Sequence, residues 1–137
     1  MYRAWTAAGG ASASFMAGHS LGEYTALTAA GSLPLADAVR LVRSRGQFMQ
    51  EAVPKGVGAM AAVIGLDDAT IESVCAEVGS ETGLVIEAVN YNAPGQLVIA
   101  GNAEAIDASL PRLRAAGAKR ALPLPVSAPF HCALMKP

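Results

Sequence analysis

The chain has 137 residues, 53% of them hydrophobic and 15% charged, with a formal net charge of -1. That is one domain's worth of sequence with enough apolar material for a buried core, which excludes disorder. The near-neutral charge and the lack of a long Lys/Arg run give no electrostatic footprint for nucleic acid or an anionic membrane, so an anionic ligand has to be held locally.

Residues 4–22 carry no Asp, Glu, Lys or Arg. Gly9-Gly10 in the middle of that run, its polar Ser, Thr and His, and its alanine content argue against a membrane span or a signal peptide. Residues 1–57 read as a short helical piece, a strand over 14–17, a sharp turn, a helix over 23–30 ending near Gly31, and a longer helix from Pro34 to about residue 52. Strand, turn and helix in that order predict an α/β fold with a parallel sheet. Pro34 suits a first helical turn, and Pro54 with Gly56 and Gly58 marks the exit.

Residues 58–125 have a different rhythm. An apolar run over 59–64 precedes a helix opened by Asp67-Asp68, in which Ile71, Val74, Cys75 and Val78 fall on one face. Apolar runs over 84–89 and 97–100 flank the turn-rich Asn90-Tyr91-Asn92-Ala93-Pro94-Gly95. A helix with Ile106, Leu110 and Leu113 inward and Gly117 as its stop leads to a strand over 120–124. The order is βαββαβ, a ferredoxin-like subdomain. Pro111 crowds the carbonyl four residues back and predicts a kink or two short helices. Cys75 and Cys132 are too few for a disulfide scaffold and lack metal-ligand spacing. They read as small core residues of a cytoplasmic protein with no metal.

Chemistry enters at Gly18-His19-Ser20-Leu21-Gly22. A serine flanked at two residues on each side by glycine, between a strand and a helix, is the pattern of a nucleophile elbow, where the turn is too tight for flanking side chains. The following helix aims its first backbone N–H groups, Leu21's foremost, toward a developing oxyanion. The base has two candidates. His19 leaves the chain on the opposite side from Ser20 and reads as a packing and hydrogen-bonding residue under the elbow. His131 closes the proline-bearing loop over 125–131 and is better placed as a base, the bland alternative being a surface-loop histidine. No acid stands out as a third member; Asp107 has the right chain order but reads as solvated.

Arg45 is a second lead. Leu41, Val42, Phe48 and Met49 stand within one helical turn of it on the same face, with Ala38 and Ala52 a turn further out, while Arg40 and Arg43 project elsewhere. A guanidinium on an apolar stripe keeps its proton and needs an anionic partner. That partner is an internal Asp or Glu, or the stem snorkels past the stripe, or, beside an acyl-transfer serine, it grips a substrate carboxylate.

Gly18-His19-Ser20-Leu21-Gly22-Glu23-Tyr24, the helix Ala36-Asp37-Ala38-Val39-Arg40-Leu41-Val42 leading to Arg45-Gly46, Gly58-Ala59-Met60-Ala61-Ala62, Asn92-Ala93-Pro94-Gly95-Gln96 and Ser127-Ala128-Pro129-Phe130-His131 together resemble the malonyl-CoA:acyl-carrier-protein transacylases of the acyltransferase family, over nearly the whole chain. The resemblance implies an α/β-hydrolase-like core formed by 1–57 and by the return segment 126–137, with the ferredoxin-like subdomain inserted over 58–125. It implies Ser20 as nucleophile, His131 as its catalytic partner, Arg45 as the binder of the malonyl carboxylate and the Leu21 N–H as half of the oxyanion hole. It further implies malonyl-CoA and acyl carrier protein as partners, a role in fatty acid biosynthesis, and no cofactor.

Members of that family begin with a strand and a Gly/Gln-rich loop that completes the oxyanion hole, and continue to a glutamine that contacts the histidine. Neither is in this sequence, so the chain reads as an internal piece, expected to expose apolar surface and to be inactive alone. The rival readings are an acyltransferase domain of a polyketide or fatty acid synthase, a serine carboxylesterase, and a non-catalytic piece that docks carrier protein.

Overall fold

The computed structural model describes residues 1–126 and 128–136; Ser127, part of the loop over 125–131 read from the sequence, and Pro137 lie outside the described residues. The chain divides into two compact units, Met1–Gln47 and Phe48–Pro137.

The first unit holds α1 (Tyr2–Ala7), α2 (Leu21–Ala29) and most of α3 (Leu35–Glu51). Helix α2 stops at Gly31, whose φ of 77 turns the chain so that the Ser32 N–H closes on the Leu27 carbonyl at 3.0 Å. Pro34 then presents its carbonyl to the N–H groups of Asp37 and Ala38 at 3.0 and 2.9 Å, starting α3 as the sequence predicts.

The strand expected over 14–17 is not formed. Residues 11–18 are irregular and Phe15 is 95% exposed. A strand exists through its ladder partners, and the one sheet among the described residues is antiparallel and built from 58–123, so no parallel sheet is observed here. Ala38 is the only buried residue of this unit among those described. Leu35, Val39 and Leu41 on α3 and Leu27 on α2 are exposed, and α1, α2 and α3 border an apolar cavity of about 680 Å³ lined by Tyr2, Leu21, Tyr24, Thr28, Leu35 and Val42 among others. The apolar stripe on α3 is real in sequence but mostly uncovered, with Phe48 69% exposed. Apolar periodicity states which face a helix can bury, and burial requires a neighbour.

The second unit follows the order read from the sequence: β1 (Gly58–Ile64), α4 (Asp68–Thr82), β2 (Ile86–Ala93), β3 (Gln96–Asn102), α5 (Ala103–Ala115) and β4 (Arg120–Pro123). The strands lie in the spatial order β2-β3-β1-β4, every pair antiparallel. Side chains alternate across the pleat. Ala61, Val63, Ile86, Leu97, Ile99 and Ala121 meet Ile71, Val78, Ile106 and Leu113 of the helices. Met60, Val98 and Ala100 face the other way, against Cys132 with Phe130 and Leu134. Covered on both sides, β3 reads as an unbroken apolar run rather than an alternating one.

Two local expectations are corrected. The strands extend into the turn-rich stretch, so the hairpin closes on Pro94-Gly95 alone, with register shifts at Ala88/Asn90 and Tyr91/Ala93 absorbing the extra residues. Helix α5 is a single helix through Pro111 rather than two short ones. The ring is on the exposed side, while Ala105, Ile106, Ser109, Leu110 and Leu113 are buried, and that packing outweighs the one lost backbone bond.

Asp67 caps α4 as predicted, accepting from the Thr70 N–H at 2.9 Å and its hydroxyl at 2.8 Å. The Thr70 backbone bond first, and its hydroxyl second, hold the Asp67 carboxyl below its ordinary value of 3.8. A carboxyl depressed on folding contributes stability that is present above its unfolded value and lost as pH falls through the folded one. Unfolding curves from about pH 5 to about pH 2 should therefore show an acid-side loss of stability that Asp67→Asn, which keeps the cap without the charge, makes shallower.

Candidate active site

Ser20 is the N-cap of α2, with φ 53 and ψ −109. That is a left-handed φ rarely adopted by a residue with a side chain, and such strain is a mark of functional positions. Of the strand, turn and helix read from the sequence, the structure has the strained turn and the helix, without the strand before them. Its tightness comes from one glycine. A Cβ on Gly18 would lie 1.9 Å from the carbonyl carbon and oxygen of Gly22 and 2.4 Å from the Glu23 nitrogen. A Cβ on Gly22 would meet nothing within 4 Å, so the expectation of steric need at both positions holds for Gly18 and is corrected for Gly22.

Gly18→Ala should lower unfolding stability by about 2 kcal/mol, because backbone cannot yield as a side-chain tip can. Gly22→Ala, in the first turn of a helix, should stay within about 1 kcal/mol of the parent, on the stabilising side. Denaturant titration of the two variants makes the comparison.

The Gly22 N–H turns back to the His19 carbonyl at 2.9 Å and the Glu23 N–H to that of Ser20 at 3.3 Å. Leu21 opens the helix, so its N–H has no partner within the helical ladder and lies one residue from the hydroxyl. His19 is exposed rather than packed under the elbow, where the Gly22 and Glu23 backbone already fills the space against Gly18.

Arg45 comes to this hydroxyl. Its guanidinium Nη2 donates to Ser20 Oγ at 2.8 Å, across 25 residues of sequence, and the pair is partly buried. Arg45 is in neither of the ion pairs Arg40 with Asp37 and Arg112 with Glu81. Arg43 and Asp107 are exposed, as the sequence reading had them. Of the residues singled out, the fold therefore gathers Ser20, Leu21 and Arg45. A guanidinium fixed beside a hydroxyl can hold an anionic group there and lower the cost of negative charge on oxygen.

His131 belongs to the second unit. It is exposed, with φ 70, on a loop anchored on both sides. Ala128 and Pro129 before it and Cys132 after it are buried, and the Pro129 ring lies so close to Gly58 that a Cβ there would come within 2.3 Å of it. Two separated motifs, Gly58-Ala59-Met60 and Ala128-Pro129-Phe130-His131, are thereby packed together. The Cys132 S–H donates to the Pro129 carbonyl at 3.1 Å, and burial, with the Glu87 charge adding, pushes that thiol's pKa up. Burial, with Glu72 adding, pushes the Cys75 thiol up to about 11. Raised in this way, neither cysteine offers a thiolate at neutral pH.

The family model for the acyl transferase domain matches residues 1–137. The chain belongs to the acyl transferase domain family. Among its relatives, the malonyl CoA-acyl carrier protein transacylase of Escherichia coli (strain K12) is 61% identical over 137 residues, which are 100% of this chain and 44% of that protein. The crystal structure of an acyl-carrier-protein S-malonyltransferase from Burkholderia pseudomallei 1710b superposes with a TM-score of 0.94 at 60% identity, over 99% of this chain and 44% of that one. A holo complex of a type II PKS acyl-carrier protein with its malonyl-transacylase gives 0.93 at 54% identity, over 98% and 43%. The acyl transferase chain described here thus spans less than half the length of these relatives. Among the described residues no helix is long and apolar enough to cross a membrane.

Proposed function

We propose that this acyl transferase chain carries the nucleophile and the acyl-carboxylate site of an enzyme that moves malonyl from malonyl-CoA to the phosphopantetheine thiol of acyl carrier protein, in fatty acid biosynthesis. The observation that carries the reading is the 2.8 Å contact between Arg45 and Ser20 Oγ at a strained helix cap. Malonyl places its carboxylate only two bonds beyond the ester carbonyl carbon, so a guanidinium that already touches the hydroxyl suits a short diacid. A carboxylesterase acting on neutral acyl groups would have no use for it.

His131 removes the Ser20 proton, and Ser20 Oγ attacks the thioester carbonyl, with the oxyanion taken up by the Leu21 N–H. The C–S bond breaks, the CoA sulfur leaves with the proton held by the imidazole, and a malonyl-serine ester remains. The carrier thiol then attacks that ester by the reverse route, regenerating Ser20. No cofactor is needed, because thioester and ester exchange without redox change.

In this reading residues 1–57 and 126–137 contribute to an α/β-hydrolase-like core, and 58–125 form a ferredoxin-like subdomain. The βαββαβ order and the β2-β3-β1-β4 sheet support the second part. Two free, buried cysteines fit a cytoplasmic enzyme. The likeness to the malonyl-transacylase bound to a polyketide carrier protein favours a second reading, in which the acceptor is the carrier of a polyketide synthase.

The test uses a chimera in which these 137 residues replace the matching segment of the Escherichia coli relative. Incubation with malonyl-CoA should add one malonyl group to the intact mass, at Ser20. Transfer compared on fatty-acid and polyketide carrier proteins separates the two acceptors, and release of free malonate without transfer would point to the esterase.

A further inference from the structure

Glu87 is an acid where a strand should have none. It stands in the run Leu84-Val85-Ile86-Glu87-Ala88-Val89, pairs with Ala100 of β3, and is half-buried. By the pleat it shares a face with Val85, the face that carries Met60, Val98, Ala100 and Cys132. A carboxylate on that apolar surface calls for a partner. It has one: Oε2 accepts from the Ala133 N–H at 3.0 Å, across 46 residues.

Ala133 opens the short 3-10 helix Ala133–Met135, so its N–H is one that the helix itself does not use. It lies two residues after His131. Upstream the loop is held by Pro129 against Gly58, and the Cys132 S–H on the Pro129 carbonyl closes across His131. His131, at φ 70, is therefore bracketed by two tethers, one on each side. A left-handed φ at a residue with a side chain persists only where its surroundings over-determine it, and the Glu87 bond supplies the downstream half of that constraint.

We infer that Glu87 is a positioning residue: its carboxylate, by holding the Ala133 N–H, keeps His131 in the left-handed conformation from which the imidazole works. The inference rests on His131 being the base of the proposed reaction. Glu87 touches neither substrate nor the reacting atoms and acts through the loop alone.

The test compares Glu87→Met, which keeps length and apolar packing but cannot accept the bond, with Glu87→Gln, which keeps an acceptor oxygen without the charge. In the 137-residue chain, NMR reads the Ala133 amide exchange rate and the His131 φ through its HN–Hα coupling and Cα shift. Glu87→Met should speed Ala133 exchange by about tenfold and shift the His131 signals away from left-handed values, and Glu87→Gln should restore both. In the chimera, Glu87→Met should lower kcat for malonyl transfer by about tenfold with KM for malonyl-CoA unchanged, while Glu87→Gln stays near the parent. Unchanged exchange and unchanged His131 signals in Glu87→Met would overturn the proposal, as would a Glu87→Gln variant that fails as fully as Glu87→Met. His131→Ala in the same chimera tests the underlying reading on its own. If it retains full turnover, the assignment of the base falls. If it is inactive while Glu87→Met keeps its kcat, the base stands and the positioning role is lost.

Discussion

Ser20→Ala in the chimera is expected to abolish the malonyl-enzyme ester and to lower transfer by about a millionfold, the scale seen when the nucleophile of a serine enzyme is removed. The loss is this large because the two-step route disappears with the hydroxyl and no neighbouring group replaces it. Burial raises the pKa of both thiols, Cys75 to about 11, so neither offers a thiolate. The substitution should leave the fold intact. Ser20 makes no side-chain cap bond to α2, so removing its Oγ takes no cap from that helix. Intact mass after incubation with malonyl-CoA reads the ester, and helix content by circular dichroism confirms that the elbow helix has survived. An ester that persists on another residue would remove Ser20 from the reaction.

On the proposed reading, Arg45→Ala in the chimera should separate malonyl transfer from acetyl transfer. Malonyl transfer is expected to fall by about a hundredfold or more, the scale of removing a charge-assisted bidentate grip from a partly desolvated carboxylate, while acetyl transfer changes by only a few-fold. Arg45→Lys, keeping the charge and losing the planar fork, should fall between, at about tenfold for malonyl. The 2.8 Å bond to Ser20 Oγ makes the control necessary. If Arg45 served only to polarise the hydroxyl, both acyl groups would suffer equally, and equal losses in kcat/KM would remove Arg45 from the carboxylate site. A larger loss for malonyl, concentrated in kcat/KM, is the signature of binding the second carboxylate.

The glycines and Pro34, the cap Asp67, the spacing of Ile71, Val74, Cys75 and Val78, and the βαββαβ rhythm are local or periodic, and they were readable because caps, turns and amphipathic faces are written in neighbouring residues. The elbow was readable for the same reason, although the strand before it was not realised: a strand is completed by partners elsewhere in space, and no propensity over 14–17 supplies them. Pro111 did not split α5 into two short helices, since buried contacts along it carried the helix past the ring.

Arg45 shows where one kind of knowledge ends and the other begins. Its position on an apolar stripe announced that a guanidinium needed a partner, and left an internal carboxylate, solvent and a substrate acid all open. Only the tertiary fold placed Ser20 Oγ at hydrogen-bond distance, because that choice depends on how α3 lies against the start of α2. Glu87 was likewise silent, although the loop of His131 had been singled out. Glu87 lies inside a run read simply as apolar, and a bond spanning 46 residues to one backbone N–H is a property of sheet register and loop packing. What the residues determined by themselves was the inventory of reactive groups and the elements that carry them; which of those groups meet was decided by packing, a non-local term that no window along the chain contains.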